Sequence, residues 1–193
     1  MLKSPLPDVV EHLEKVLAAS SIEEIWELHT AAMKAYGFDR LLYGFTRFRT
    51  SNSFGNIDDL LVLSNHSQDY LDGFVKSGLF HHAPMVKWAA ANEGACSWRW
   101  IEEQAQTGIL TASEQKVLDF NLRHGIRAGY SISFRDLSVR AKGAIGLTVR
   151  EGMRQRDADQ IMAEHGRDIL IVNNVTHLRI TATRAARSCD KCA

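Results

Sequence analysis

The apolar residues of this chain change repeatedly between helical spacing and strand-like alternation, and this order constrains the fold more than any other feature. Helical spacing predicts helices over 6–36, with a break at Ser20-Ser21, and over 67–77, 84–92, 111–123 and 156–183. Alternation or a short apolar run predicts strands over 38–49, 60–64, 94–98, 128–134 and 144–149. Two strand pairs flank short polar segments typical of hairpins. The order α-α-β-β-α-α-β-α-β-β-α therefore predicts an antiparallel sheet sandwiched by helices.

Local signals set the ends of these helices. Asp8 and Ser21 stand where N-caps are expected, and Gly37 stands where a C-cap glycine is expected. Thr111 precedes Glu114 at the spacing of a capping box. After Thr183 the sequence becomes small and basic. We therefore expect one domain over residues 1–183 and a tail, or a truncated linker, over 184–193.

Composition narrows the classes of function. The 23 basic residues are balanced by 23 acidic residues, so this stretch lacks the basic footprint of a protein that grips nucleic acid by itself. No apolar run is long enough for a membrane span, and the N-terminus does not resemble a signal peptide. The odd number of cysteines, three, does not indicate a disulfide framework. We expect a cytoplasmic protein without membrane contact.

Motifs of catalysis and metal binding are weak. The C-x-x-C formed by Cys189 and Cys192 is typical of a redox pair or half a zinc site, but at the C-terminus, without a second C-x-x-C or nearby histidines, it is interpreted as a solvated tail. Cys96 is read as a small core residue, and the doublet His81-His82 lacks further ligands nearby. Nucleophile-elbow, zincin, dinucleotide and Walker motifs are missing. We therefore predict that the chain is not an enzyme and binds neither a metal nor a cofactor. The rival hypothesis of an enzyme would require a titratable group inside an aromatic pocket wall, and His66 and His82 are the candidates.

Aromatic residues are dense in one stretch of the chain. The six are Tyr70, Phe74, Phe80, Trp88, Trp98 and Trp100. They form either an aromatic core or the wall of a ligand pocket, since pockets are mostly apolar and aromatic with a few placed polar groups.

Several segments together resemble a known family. They are the stretch 65–70, Gly73-Phe74, the stretch 78–86, Trp98, Gly37-Phe38 and the stretch 124–129. This set is similar to the autoinducer-binding domain of LuxR-type quorum-sensing transcription regulators, over roughly residues 8 to 180. The resemblance implies an α-β-α sandwich around a five-stranded antiparallel sheet and an N-acyl-homoserine lactone held between the sheet and one helical layer. It also implies homodimers, often through the last helix, and DNA binding only through a C-terminal helix-turn-helix domain that this chain lacks.

Matching positions give the expected ligand-binding residues. They are Leu42, Gly44, Thr46, Val62, His66, Tyr70, Phe74, Ala83, Met85, Val86, Trp98, Val117, Leu118, Ile126, Gly146 and Thr148. The facing of the second strand is open, because Leu61 and Leu63 are as apolar as Val62.

Three head-group positions depart from the family. Its lactone-binding tryptophan falls on Tyr70, its tyrosine one turn later on Phe74, and its aspartate, which accepts the ligand amide N–H, on Ala83. A buried amide donor without an acceptor costs about 1–3 kcal/mol. Three explanations remain: replacement contacts from His66, His81, His82, Ser131 or Thr148; a different small molecule with an apolar body; or a domain that folds without ligand.

The leading hypothesis is a ligand-sensing domain that binds an acyl-homoserine lactone or another small apolar signal. The alternative is a ligand-independent interaction protein that dimerises with a full-length regulator. The chain is either an excised sensor or a natural short form.

Overall fold

The computed structural model describes residues 6–50, 53–135 and 138–189 and confirms the expected α+β architecture. The helices are α1 (Val9–Ala18), α2 (Ile22–Tyr36), α3 (Gln68–Leu71), α4 (Pro84–Ala91), α5 (Arg99–Gln106), α6 (Ala112–Arg123) and α7 (Gln155–Cys189). The strands are β1 (Phe38–Thr46), β2 (Leu61–Ser64), β3 (Gly94–Ser97), β4 (Gly129–Ser133) and β5 (Lys142–Val149). A π-helical turn, Asp72–Lys76, continues α3, and 3-10 turns occupy Ile57–Asp59 and Leu79–His82.

The five strands form one antiparallel sheet in the order β2-β1-β5-β4-β3. The predicted hairpins β1–β2 and β4–β5 are both present. The pairing that joins them is β1 with β5, where Leu42 lies opposite Gly146. The centre of the sheet is thus built from strands that come from opposite halves of the chain.

Alternation along the strands sorts side chains onto the two faces of the sheet. Leu41, Tyr43 and Phe45 join the core formed with α1, α2 and α7. Leu42 packs with the cluster on the opposite face. On β2 the same rule answers the question left open by sequence: Val62 belongs to the second cluster, whereas Leu61 and Leu63 belong to the first.

Polar side chains are buried between α2, α7 and β1. The ring of His29 contacts Asn173 Oδ1 and Thr176 Oγ1, both at 3.1 Å, and the Tyr43 hydroxyl contacts His177 Nδ1 at 2.9 Å. Burial lowers the pKa of His29 to about 3, and burial together with nearby Lys142 lowers the pKa of His177 to about 4. Both rings are therefore neutral at pH 7, so the network adds no buried charge to this layer.

The second helical layer, α3 to α6, covers the other face, and its ends carry the expected caps. The capping box of α6 is formed in both directions between Thr111 and Glu114, and Pro84 occupies the first turn of α4. Asp8, Ser21 and Gly37 also cap as predicted. Helix α4 is tied to the sheet by the Ser133 hydroxyl, which lies 2.8 Å from the carbonyl oxygen of Ala89.

The structure differs from the predictions mainly in three places. Strand β1 ends at Thr46 rather than 49, helix α5 was not predicted, and α7 continues past Thr183 to Cys189. The small and basic residues after Thr183 include alanine and arginine and contain neither proline nor glycine, so the helix has no reason to stop there. Cys192, the second residue of the C-x-x-C pair, lies outside the described residues. No helix within the described ranges is long and apolar enough to span a membrane.

Candidate ligand-binding cavity

A cavity of about 320 Å³ lies between the sheet and the α3–α6 layer. It is lined by β1, β2, β4 and β5 on the sheet side and by α3, α4, α5 and α6 on the other side. Most of its lining is apolar. Its size falls at the lower end of the range for small-molecule sites, about 300–1,000 Å³.

The expected ligand-binding residues converge on this cavity with one exception. Those that line it are Leu42, Gly44, Val62, His66, Tyr70, Phe74, Ala83, Met85, Val86, Trp98, Val117, Leu118, Ile126, Gly146 and Thr148. Thr46 does not, because β1 ends there and the Thr46 hydroxyl turns back to accept the Phe48 N–H at 3.0 Å. The others lie on both sides of the cavity, and the binding of a ligand by them stays a prediction.

Sequence reasoning missed part of the lining. Helix α5 contributes Ile101, Glu102 and Ala105, and α6 contributes Asn121 and Leu122. The signal for α5 was the i, i+4 pair Ile101 and Ala105 in an otherwise polar stretch, which is weak. Asn121 carried no signal, because its partner is distant in sequence.

The aromatic segment serves largely as a wall of the cavity. Tyr70 lies between His66 and Phe74, with ring centroids 4.6 Å and 5.1 Å away. Phe120 and His124 of the α6 end also pack against Tyr70, both at 5.6 Å. Phe80 and Trp98 line the cavity as well, whereas Trp88 packs with a separate cluster that includes Phe54, and Trp100 is not part of the lining.

The hydroxyl of Tyr70 is already in use. It donates to Asn121 Oδ1 at 3.3 Å, and burial raises the pKa of this phenol, which keeps it protonated. The Tyr70 hydroxyl, which takes the place of the family's tryptophan donor, is therefore bonded to the protein itself rather than directed at a ligand. Asn121, in turn, is one of the residues that line the cavity.

The indole ring of Trp98 packs against strands β4 and β5. Its indole N–H donates to Ser131 Oγ at 3.0 Å. A Cβ atom at Gly129 would come within 3.0 Å of the ring and 2.1 Å of the Leu147 carbonyl oxygen, so this close approach requires glycine. A Cβ at Gly146 would stand 3.8 Å from the ring, in ordinary contact.

The cavity is also lined by two further polar residues, Thr148 on the sheet and His66 in the connection between β2 and α3. Thr148 is 2% exposed, and its hydroxyl has no hydrogen bond to any described residue. Burial, followed by the charges of Arg40 and His124, lowers the pKa of His66 to about 4, so this ring is neutral at pH 7. The neighbouring candidates His81 and His82 are exposed and absent from the lining, which removes them as replacement contacts.

The position of the family's aspartate is an apolar part of the wall. Ala83 is buried and directly precedes α4. Glu102 is the one carboxylate in the lining formed by described residues, and its side chain is exposed. A ligand group that meets Ala83 therefore meets a methyl group.

A polar cluster joins the cavity wall to the start of α7. Asp159 accepts hydrogen bonds from Ser97, Tyr130, Arg99 and Gln155. Burial alone would raise the pKa of Asp159, but these bonds, led by that of Arg99, lower it to about 2. Ser97 and Arg99 flank Trp98 in the sequence, and both bond Asp159. They therefore connect the Trp98 ring in the cavity to helix α7.

Comparison with known proteins agrees with this geometry. A sequence model described as the autoinducer binding domain matches residues 21–180, which leaves only α1 and the end of α7 outside. No curated protein matches the chain in sequence.

Solved structures match the fold. The N-acylhomoserine lactone-dependent LuxR-family factor CepR2 of Burkholderia cenocepacia is 20% identical, with a TM-score of 0.69, over 92% of this chain and 96% of its own. Escherichia coli SdiA in complex with octanoyl-rac-glycerol is 12% identical, with a TM-score of 0.56, over 86% of this chain and 66% of its own. The solution structure of E. coli SdiA1-171 is 14% identical, with a TM-score of 0.52, over 86% and 94%.

The family match covers most of the chain and the fold agrees with it, so the protein belongs to the autoinducer-binding domain family, the ligand-sensing domain of LuxR-type transcription regulators.

Proposed function

We propose that this domain senses a small neutral molecule with an apolar body, held in the cavity between the sheet and helices α3 to α6. The observation that carries the proposal is the cavity itself, which the core leaves open and which is lined by apolar side chains. An acyl chain fits such a surface because its burial removes apolar area from water. The octanoyl-rac-glycerol complex of SdiA supports an acyl ligand for this fold.

The residues that converge on the cavity are proposed as its ligand contacts. Val117 and Ile126 supply apolar surface, and Ser131 and Thr148 supply hydroxyls on the sheet side. A domain that folds without ligand, and acts only by pairing with a regulator, has no need of such an open space. The interaction-protein alternative is therefore not favoured.

Ligand binding would reach the rest of a regulator through α7. A ligand that packs on Trp98 also orders its neighbours Ser97 and Arg99, which hold Asp159 on that helix. Gln155, one turn earlier, bonds both the N–H and the carbonyl of Gly129. A filled cavity would thus hold α7 more firmly to the sheet and stabilise the folded domain by linkage.

Dimerisation, DNA binding and location follow as further proposals from the family. Ile171 and Leu178 are exposed on α7 and offer apolar contact to a second copy. DNA would be bound by a separate helix-turn-helix domain, and the location would be the cytoplasm, where such a regulator acts. The division into a sensor over 1–183 and a tail beyond it stays a prediction.

The test is a thermal-shift measurement with native mass spectrometry on the purified chain. The probes are N-acyl-homoserine lactones with chains of increasing length and 1-octanoyl-rac-glycerol. At one hundred times its Kd, a bound probe stabilises the folded state by about 2.7 kcal/mol, and we expect a retained mass of one ligand per chain. A folded protein that no probe shifts, and that carries no small molecule, would contradict the proposal.

A further inference from the structure

One hydrogen bond on the cavity wall has a fixed direction. The Tyr70 phenol is 4% exposed and makes a single hydrogen bond with the described residues, to Asn121 Oδ1. A buried hydroxyl donor without an acceptor costs about 1–3 kcal/mol. The amide of Asn121 therefore turns its oxygen to Tyr70, since its nitrogen cannot accept a proton.

The other half of that amide is left to the cavity. Asn121 lines the cavity, and its Nδ2 atom has no hydrogen-bond partner within the described parts of the chain. An amide nitrogen can only donate. The helix α6 thus presents a donor whose orientation is set by Tyr70, and the group that complements it is a carbonyl oxygen.

The sheet side adds a second donor. The Ser131 oxygen accepts the Trp98 N–H, so the Ser131 hydroxyl proton is free to point at a ligand. The wall at Ala83 adds no acceptor. A ligand amide N–H brought against this methyl group would be left unpaired.

We propose that the Tyr70–Asn121 pair is the specificity-determining donor of this cavity and that, with Ala83 on the wall, it selects a neutral acyl ester or ketone with no amide N–H. This inference rests on the proposed function, because it names the ligand class of the same cavity. The position of the donor is set by a contact between α3 and α6.

The test compares two probes that differ by one group. N-octanoyl-homoserine lactone carries an amide N–H, and α-octanoyloxy-γ-butyrolactone has an ester oxygen in its place. We expect the wild-type chain to bind the ester at least as tightly as the amide in titration calorimetry. In Ala83→Asp, the ratio of the two Kd values should shift toward the amide by about tenfold or more.

Variants of the pair test its role. Asn121→Leu should weaken ester binding by about fivefold or more, because the carbonyl oxygen loses its donor. Tyr70→Phe frees the Asn121 amide to turn, so it should improve amide binding relative to ester binding. Asn174→Leu, which changes an exposed asparagine on α7, is the matched control and should leave both Kd values unchanged. A melting curve without probe confirms that each variant is folded.

The outcomes separate the inference from the proposed function. Amide binding that is tenfold tighter than ester binding in the wild-type chain would overturn the inference and leave a working sensor. Unchanged ester binding in a folded Asn121→Leu variant would overturn it as well. If neither octanoyl probe nor any other acyl probe binds, the proposed function fails together with the inference.

Discussion

Filling the cavity from the sheet side should abolish the response to ligand while the fold survives. The substitution is Gly146→Trp. The first carbon of the new side chain would stand 3.8 Å from Trp98 and 3.9 Å from the Leu42 carbonyl oxygen, so the backbone need not move. All atoms beyond that carbon must enter the cavity.

The expected magnitude follows from the size of the cavity. Its volume of about 320 Å³ is already at the lower end for small-molecule sites, so an indole and an octanoyl ligand cannot occupy it together. In the wild-type chain, 1-octanoyl-rac-glycerol at one hundred times its Kd should raise Tm by about 5–11 °C, from about 2.7 kcal/mol of linkage and about 2–4 °C per kcal/mol. The variant should show a shift of less than about 1 °C at the same concentration.

The assay is a thermal melt with and without the probe, accompanied by circular dichroism to confirm the fold. Gly166→Ala is the control, because Gly166 lies on α7, where a new Cβ meets only Met162 at 3.7 Å. That variant should keep the full shift. A Gly146→Trp protein that melts cooperatively and still responds to the probe as the wild-type chain does would refute the assignment of the cavity as the ligand site.

Three further predictions concern stability. Burial holds the pKa of His29 and His177 at about 3 and about 4, so between pH 7 and pH 5 the unfolded chain takes up protons that the folded chain does not. The free energy of unfolding should therefore decrease as the pH is lowered from 7 to 5, by up to about 2 kcal/mol per histidine. In urea titrations, His29→Gln should reduce this pH dependence, and a wild-type midpoint that does not change with pH would contradict the prediction. Asp159→Ala should cost about 1.5 kcal/mol in urea unfolding, the low end for charged hydrogen bonds because its Arg99 partner is half exposed, and an unchanged midpoint would count against the cluster. Thr111→Ala should cost about 1 kcal/mol through loss of the α6 capping box, and equal stability to the wild type would contradict this.

Sequence predicted the elements whose signals are local. Asp8, Ser21 and Thr111 cap helices because their side chains reach a backbone N–H within three residues, and such contacts are encoded where they occur. Strand alternation likewise separated Leu41 from Leu42. The resemblance then identified most of the residues that line the cavity, because corresponding positions in proteins of one fold lie at corresponding points around it.

The remaining features depend on contacts between distant residues. Helix α5 has few apolar residues, and it forms where Arg99, its first residue, donates a hydrogen bond to Asp159 on α7. The role of Asn121 exists only because α3 brings the Tyr70 hydroxyl to it. Thr46 was expected in the lining because it continues the alternation of β1, but alternation does not show where a strand ends.

The pairing of β1 with β5 also governs when the site can exist during biosynthesis. The wall formed by Leu42 and Gly44 pairs with β2 on one side but lacks its second neighbour until β5 pairs with β1, and this contact closes a loop of about half the chain. Contacts so far apart in sequence are slow to form, because the entropy of loop closure is lost before the contact is gained. A nascent chain that has not yet exposed β5 beyond the ribosome therefore lacks a complete cavity, and a signal molecule can stabilise this domain only after β5 has been made.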